Sequence, residues 1–487
     1  MLNKNILPLF FMLLVTAFPL YLYLDNNPIY PIDEARVCNN TINMLNNGNW
    51  MVTYYGGSPE RWNTKPPLFN WIQMSCIQIM GVNEISLRFP SAFAAVLTCV
   101  LLFFFSAKYF NTSWLGVIWG VVLITMEGYV RPHGTRTGDY DSVLVLFTTS
   151  YCLAFYLFVE YENPRFILLG CIAITLATLT KGIAGVLFLP VIALYILIRK
   201  KWKLFFTSRA SYLGIFIFLF FIGEYYGLRE LLNPRYLHAV IRNEFGRYTT
   251  TLENNGHDFF FYIRNLFDSH IPILYLLVLP IGIIVGVFNK EKKIARFSWY
   301  CLLLIVFHLL VISFSETKLD WYDMPDYPFI SAFVCFAIIS LIHVISYPGV
   351  GTTISILLYI AIGIFFLFPY ASIIKKQKAI ADPDVFWTEI RIADYLRRCL
   401  HGELKMRNYT VVYEGYDPHH LVYSEMFKRK GYVLELNKTN RELHRGDTVL
   451  ASQVPEKNYI EKNYTFSLMD DFYGTRVYAI TKAIRPQ

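Results

Sequence analysis

The sequence predicts a polytopic α-helical membrane protein of about 11 to 13 transmembrane helices, followed by a small extramembrane α/β domain. Composition is the first reason. Of 487 residues, 55% are hydrophobic and only 16% are charged, against roughly a quarter charged in a soluble domain. The second is that the apolar residues fall in runs long enough to cross a ~30 Å hydrocarbon core. The third is an abrupt change past residue 370, where the chain becomes charged and mixed.

Candidate spans lie near 5–24, 86–107, 113–130, 141–159, 165–180, 183–198, 210–228, 270–288, 297–314, 327–345 and 352–369. No small-residue cleavage site follows the first, which therefore reads as a retained helix. Lys4, Lys108, Arg199 to Lys203 and Lys290 to Arg296 occupy alternate connections, which the excess of cytoplasmic lysine and arginine assigns to the inside. The other connections then face outward: 25–85, 131–140, the turn at Lys181, 229–269, 315–326 and everything after 370. The net charge of +8 is what such a protein carries anyway and points to no nucleic acid. Six of the eight cysteines lie in or beside apolar runs, and a disulfide between Cys38 and Cys399 stays open. The domains are accordingly 1–370, with large outer loops 25–85 and 229–269, and 371–487. In the latter, Thr410–Tyr413 and Arg476–Ile480 read as strands and Phe386–Leu400 as a helix, in a unit long enough for its own core.

Four polar clusters stand on the outward connections: Pro31 to Arg36, Asn63 to Pro67, Arg136 to Asp141, and Glu316 to Tyr322. Lys65, Arg131, Arg136, Lys181 and Lys318 work against the topology rule, and binding an anion is the simplest reason for cations there. Asp33 opens a helix that would end at Gly48; its carboxylate either caps that helix or takes a proton from an attacking hydroxyl. Asp139 and Asp141 could likewise cap the next span or hold a divalent cation. Lys65, Lys181 and Lys318 taken singly read as interfacial lysines, and His257 as a loop histidine.

Together these residues resemble a known family. The run Asp33-Glu34-Ala35-Arg36, the Gly48-x-Trp50 turn, Lys65-Pro66-Pro67-Leu68-x-x-Trp71, Gly81 to Glu84 and Arg88-x-Pro90-Ser91-Ala92 are similar to the first outer loop and second helix of GT-C glycosyltransferases. Lipid A aminoarabinose transferases and protein-mannosyltransferase-like proteins are the nearest kinds. Arg136 with Asp141, Leu179 to Gly182, and Thr317-Lys318-Leu319 with Trp321-Tyr322 follow in the family's order, over residues 1 to about 340.

The resemblance implies an inverting enzyme that moves a sugar from a polyprenyl (undecaprenyl) phosphate donor to a lipid, glycan or protein acceptor at the outer, periplasmic face of a bacterial inner membrane. It makes Asp33 the base, Asp141 a second acid near the sugar, and Lys65 and Tyr322 contacts to the lipid phosphate. Glu34, Arg36, Arg136, Asp139, Lys181 and Lys318 complete the expected binding set. A phosphate is already a good leaving group, so such a site needs cations and one carboxylate rather than a general acid. Family members also carry a glutamate before Lys-Pro-Pro that helps hold a metal; here Thr64 replaces it, while His257 matches the family's histidine, which leaves a divalent metal open. Asp320 stands where proline is usual and Asp323 adds an acid, making the entrance near Tyr322 more acidic than the pattern. A polyprenyl-lipid carrier or flippase is the competing class, but it would place charges inside the spans, where His308 is the clearest titratable residue. A non-catalytic scaffold would leave the ordered clusters unexplained. The tail is expected over the outer mouth, shaping acceptor choice.

Overall fold

The computed structural model describes residues 2–252, 255–347, 349, 351–379, 390–438 and 442–484. Seven helices in it are long and apolar enough to span a bilayer: Glu84–Phe110, Asp141–Tyr161, Arg165–Val186, Arg209–Leu232, Lys292–Ser313, Met324–Ile345 and Thr352–Lys378. Four shorter apolar helices, Asn5–Tyr21, Ser113–Ile124, Leu189–Ile198 and Ile273–Val287, lie on the remaining apolar runs. The molecule is thus a multi-pass membrane protein.

Burial ranks the helices from centre to rim. Asp141–Tyr161 is the most enclosed, whereas Arg209–Leu232 and Thr352–Lys378 leave most of their apolar surface to lipid. Trp119 ties Ser113–Ile124 to the helix beginning at Tyr327, its indole N–H donating to Pro328 O at 2.8 Å and Ser331 Oγ at 2.9 Å. A buried indole keeps such partners because an unmet donor is costly in a dry core.

The first outer loop is built around one buried ion pair. Arg88 donates to Glu34 from Nε at 2.7 Å and from Nη2 at 2.9 Å, and its other N–H groups reach the carbonyls of Leu24, Asn27 and Pro28. Glu34 also accepts from the backbone of Tyr30 and Gly138, each at 2.8 Å. A side chain at Gly138 would collide with Leu87 O at 2.7 Å, so the close approach needs glycine. The pair pins the helix Asp33–Asn47 against the top of Glu84–Phe110. Gly48, at φ +64°, ends that helix in the left-handed conformation, as its sequence position foretells.

The last spanning helix continues to Ala379, past the change of composition at 370. Beyond it a five-stranded sheet runs in the order Leu434–Lys438, Tyr409–Tyr413, Thr448–Ala451, Thr475–Ala483, Tyr464–Phe472. The first three strands are parallel and the last two antiparallel. Of the expected helix Phe386–Leu400, Arg391–Leu400 is helical and 386–389 lie outside the described residues. One face of the sheet has a small core of its own around Val449, Ile460 and Tyr478. The other shares a core with the first outer loop, where Leu396, Val411 and Tyr423 meet Ile29, Ala35, Cys38 and Ile42. Cys38 and Cys399 are separate, buried thiols.

Candidate active site

The helix Asp33–Asn47 starts at Asp33 without a side-chain cap. The residue before it, Ile32, stands at φ +71°, a strained conformation for a β-branched side chain, and the Asp33 carboxylate is left free of capping duty. It faces a polar cavity of about 580 Å³. His133 Nδ1 lies 3.9 Å from Asp33 Oδ2 and 3.0 Å from Asp139 Oδ2. The His133 ring stacks on Trp321 at 4.0 Å. Burial, then the Asp139 charge, raise the Asp33 carboxyl above its ordinary range, while His133 and Lys181 act in the opposite direction. Burial opposes protonation of His133, but Asp139 and Asp33 outweigh it and hold its pKa above the usual histidine value.

Lys65 follows Thr64 and precedes two prolines that fix the chain as it enters the helix Leu68–Met80. Its ammonium pairs with Glu244 Oε1 at 2.5 Å, and Thr64 Oγ1 donates to the same oxygen at 2.9 Å. Burial lowers the Lys65 pKa, with Glu244 opposing. Burial alone would raise Glu244, yet Lys65 and Thr64 hold it below the carboxylate range. Asp141, the first residue of the central helix, takes Lys181 Nζ between its two oxygens at 2.6 and 2.7 Å. Lys181 ends the neighbouring helix and also lies 5.1 Å from the centre of the Tyr322 ring. The Tyr322 hydroxyl accepts from Arg247 Nη1 at 2.8 Å, and burial raises the phenol's pKa.

Beneath the polar cavity lies a second, mostly apolar one of about 620 Å³ that reaches down to Leu144, Leu187 and Ile312. Lys65, Asp141, Lys181, Glu244, Arg247 and Tyr322 line both. A charged rim therefore separates an apolar chamber within the helices from a polar chamber at the outer loops. This arrangement suits an amphiphile whose anionic head stops at the cations while its chain stays below.

Arg36 marks the rim of the polar chamber. Its Nε donates to the Tyr416 hydroxyl at 2.6 Å, and its guanidinium sits 4.9 Å from the Tyr416 ring, 5.6 Å from Tyr55 and 5.8 Å from Trp62. The tail thus reaches the site through Tyr416.

The structure brings Asp33, Arg36, Lys65, Asp139, Asp141, Lys181 and Tyr322 to these chambers. Glu34 is committed to Arg88. Arg136 donates to the carbonyls of Leu20 and Leu22 at the end of the first helix, at 2.6 and 2.8 Å. Lys318 turns its ammonium to the carbonyls of Ser315 and His257. His257 is exposed and stacks on Phe261 at 4.0 Å. Asp320 and Asp323 do not acidify the entrance: Arg131 and His270 bind Asp320, and His270 with Tyr327 bind Asp323. The pair implied by the resemblance does not fit a metal centre: Thr64 spends its hydroxyl on Glu244, and His257 stacks on Phe261. Among the described residues no group of three or more His, Cys, Asp or Glu is placed to hold a metal ion, the acids beside His133 and His270 being bonded to those imidazoles. His133, Glu244 and Arg247 belong to the site although no motif marks them; the one-turn spacing of Glu244 and Arg247 is the only available signal.

Residues 64–224 match the family described as dolichyl-phosphate-mannose-protein mannosyltransferase. An uncharacterized protein of Aquifex aeolicus is 29% identical over 329 residues, covering 66% of this chain and 62% of its own length. An undecaprenyl phosphate-alpha-4-amino-4-deoxy-L-arabinose arabinosyl transferase of Aeromonas hydrophila is 25% identical over 336 residues, 66% of this chain and 58% of that protein. The chain thus spans somewhat less than two-thirds of these relatives. Among solved structures, ArnT from Cupriavidus metallidurans bound to undecaprenyl phosphate superposes with a TM-score of 0.69 at 13% identity, covering 96% of this chain and 97% of that one. The Archaeoglobus fulgidus oligosaccharyltransferase gives 0.54 at 11% identity, over 86% and 63%. At such identities the likeness establishes the fold.

Proposed function

We propose, for a chain that has the ArnT-like GT-C fold and resembles the polyprenyl-phosphate-sugar transferases of that superfamily, that it transfers a sugar from a polyprenyl phosphate to a hydroxyl or amine acceptor, with inversion. The observation that carries this reading is the charged rim shared by the two chambers. The donor's prenyl chain lies in the apolar chamber, its phosphate at Lys65, Arg247 and Tyr322, and its sugar in the polar chamber. The acceptor enters from the aqueous side, past Arg36 and Trp62. Its nucleophile attacks the anomeric carbon on the face opposite the phosphate and gives its proton to Asp33; the carbon–oxygen bond to the phosphate breaks and the bonding pair leaves with it. Lys65 and Arg247 stabilise that departing charge, which a dry site makes worth more than water would. Lys181 holds Asp141 in place, and His133 works against the burial and Asp139 that raise the Asp33 pKa. The acceptor class covers a lipid A-type glycolipid, a glycan or a protein, and the site opens to the periplasmic side of a bacterial inner membrane.

Asp33→Asn is expected to lower transfer by roughly two to four orders of magnitude, as loss of a general base does, while binding of polyprenyl phosphate is kept. Lys65→Ala should instead weaken that binding by roughly 10- to 150-fold, the value of a charged hydrogen bond. Mass spectrometry of envelope glycolipids, glycans and glycoproteins from cells carrying parent or Asp33→Asn protein identifies the product. A sugar-sized mass missing only in the variant supports the transferase; identical profiles at equal protein level would move the assignment to a carrier.

A further inference from the structure

A second amphipathic site lies on the lipid-facing side of the molecule and does not depend on the transfer reaction. It has two parts in line. An almost wholly apolar groove of about 950 Å³ is walled by Phe11 and Val15 of the first helix, Trp114 and Val121 of Ser113–Ile124, and Gly363 and Phe366 of the last span. A side chain at Gly363 would meet open space. Farther along the last span, beside the outer loop that follows Ile124, lies a cavity of about 620 Å³ with Arg131, Arg136, Lys376 and Gln377 in its wall.

The two are aligned along the last span, and the other two helices lead from the groove toward the cavity. On the last span, Gly363, Phe366, Leu367 and Tyr370 line the groove, and Ile373 and Gln377 line the cavity, recurring every three or four residues on one face. The first helix runs from Phe11 and Val15 up to the Leu20 carbonyl that Arg136 caps. The helix Ser113–Ile124 leads up to Glu127 and Arg131.

The cavity is cationic. Of its cations, Lys376 pairs with Glu127 of the lining and Arg131 and His270 pair with Asp320 beside it, which leaves Arg136 with no carboxylate partner among the described residues. Gln377 is 3% exposed, and among the described residues neither its Oε1 nor its Nε2 has a hydrogen-bond partner. A buried amide with no partner beside three cations lacks a polar ligand. We propose that this joined site binds an anionic membrane phospholipid, its acyl chain in the groove and its phosphate among Arg131, Arg136, Lys376 and Gln377. Charge complementarity selects the phosphate, and the continuous apolar groove selects an acyl lipid over a free ion.

Native mass spectrometry of the full chain in detergent, with phosphatidylglycerol or phosphatidylcholine added, tests this. Phosphatidylglycerol is expected to stay bound to the parent through dilution, and phosphatidylcholine to leave. Gly363→Trp, which fills the groove from an open helix face, and Gln377→Leu, which removes the amide, should each lose the adduct. Millimolar inorganic phosphate should leave the adduct in place. Retention in either variant, equal retention of phosphatidylcholine, displacement by inorganic phosphate, or loss of polyprenyl phosphate in place of phosphatidylglycerol would overturn the proposal. Because Gln377→Leu removes an unpartnered buried amide, its thermal unfolding without lipid should be no earlier than the parent's, which separates lost binding from misfolding.

Discussion

His133 holds its backbone at φ +60°, a conformation that non-glycine residues seldom keep without surrounding constraint. The constraints here are the Trp321 face and the Asp139 carboxylate, and they set the imidazole beside Asp33. The consequence is a sign. As the proposed base, Asp33 would work only when ionised, and its pKa is already raised, so activity is expected to fall as pH drops through that raised value. His133 pulls that pKa down, and removing its charge lets it rise further. The acid limb of the kcat/KM profile should therefore move to higher pH in His133→Asn, with the plateau above it retained. A limb that stays put, or moves to lower pH, would show that His133 does not act through Asp33. In the sequence nothing distinguishes this histidine from any loop histidine, because its partners come from a fold not yet formed. Lys318 teaches the converse: it sits in a motif of the right order, yet its ammonium ties loop carbonyls together. A lysine that donates to carbonyls and one that binds phosphate are written alike.

At the scale of elements, the helix Asp33–Asn47 was legible because its ends are chemical: a polar start after Pro31 and a glycine stop at Gly48. What fixes the helix in space was not, since Glu34 pairs with Arg88 across 54 residues. The buried pair makes the helix's position a matter of stability. Glu34→Gln leaves the Arg88 charge, 1% exposed, without its counter-ion. Breaking such a pair costs about 3–5 kcal/mol, so thermal unfolding in detergent should begin clearly earlier, whereas donor phosphate affinity of the folded fraction should match the parent's. A selective loss of donor binding at unchanged stability would return Glu34 to the substrate. Glu244 shows the same limit of spacing. It lies 179 residues from Lys65, in a loop where an acid reads as solvated, yet it orders the lysine expected to meet the phosphate.

Across the whole molecule, the apolar runs predict the helices well because crossing hydrocarbon demands length and an apolar surface from each helix by itself. The tail escapes that logic. Its length suggests a freestanding unit, but one face of its sheet closes over Ile29, Ala35, Cys38 and Ile42, so the tail and the first outer loop are packed as one body. Long-range contacts of this kind carry no periodic signal.

The charged rim sets how molecules pass through. In the proposed transfer the apolar chamber below takes the donor's chain and the polar one above takes the acceptor, so each reactant has its own entrance, one from the leaflet and one from water. Spent carrier can leave laterally while the next acceptor already waits above. Added polyprenyl phosphate should therefore compete with the donor and raise its apparent KM, yet lower the maximal rate without raising the apparent KM for the acceptor. Competition against both in steady-state inhibition would mean a single shared entrance. In such a design the supply of acceptor can vary without jamming the lipid traffic beneath it.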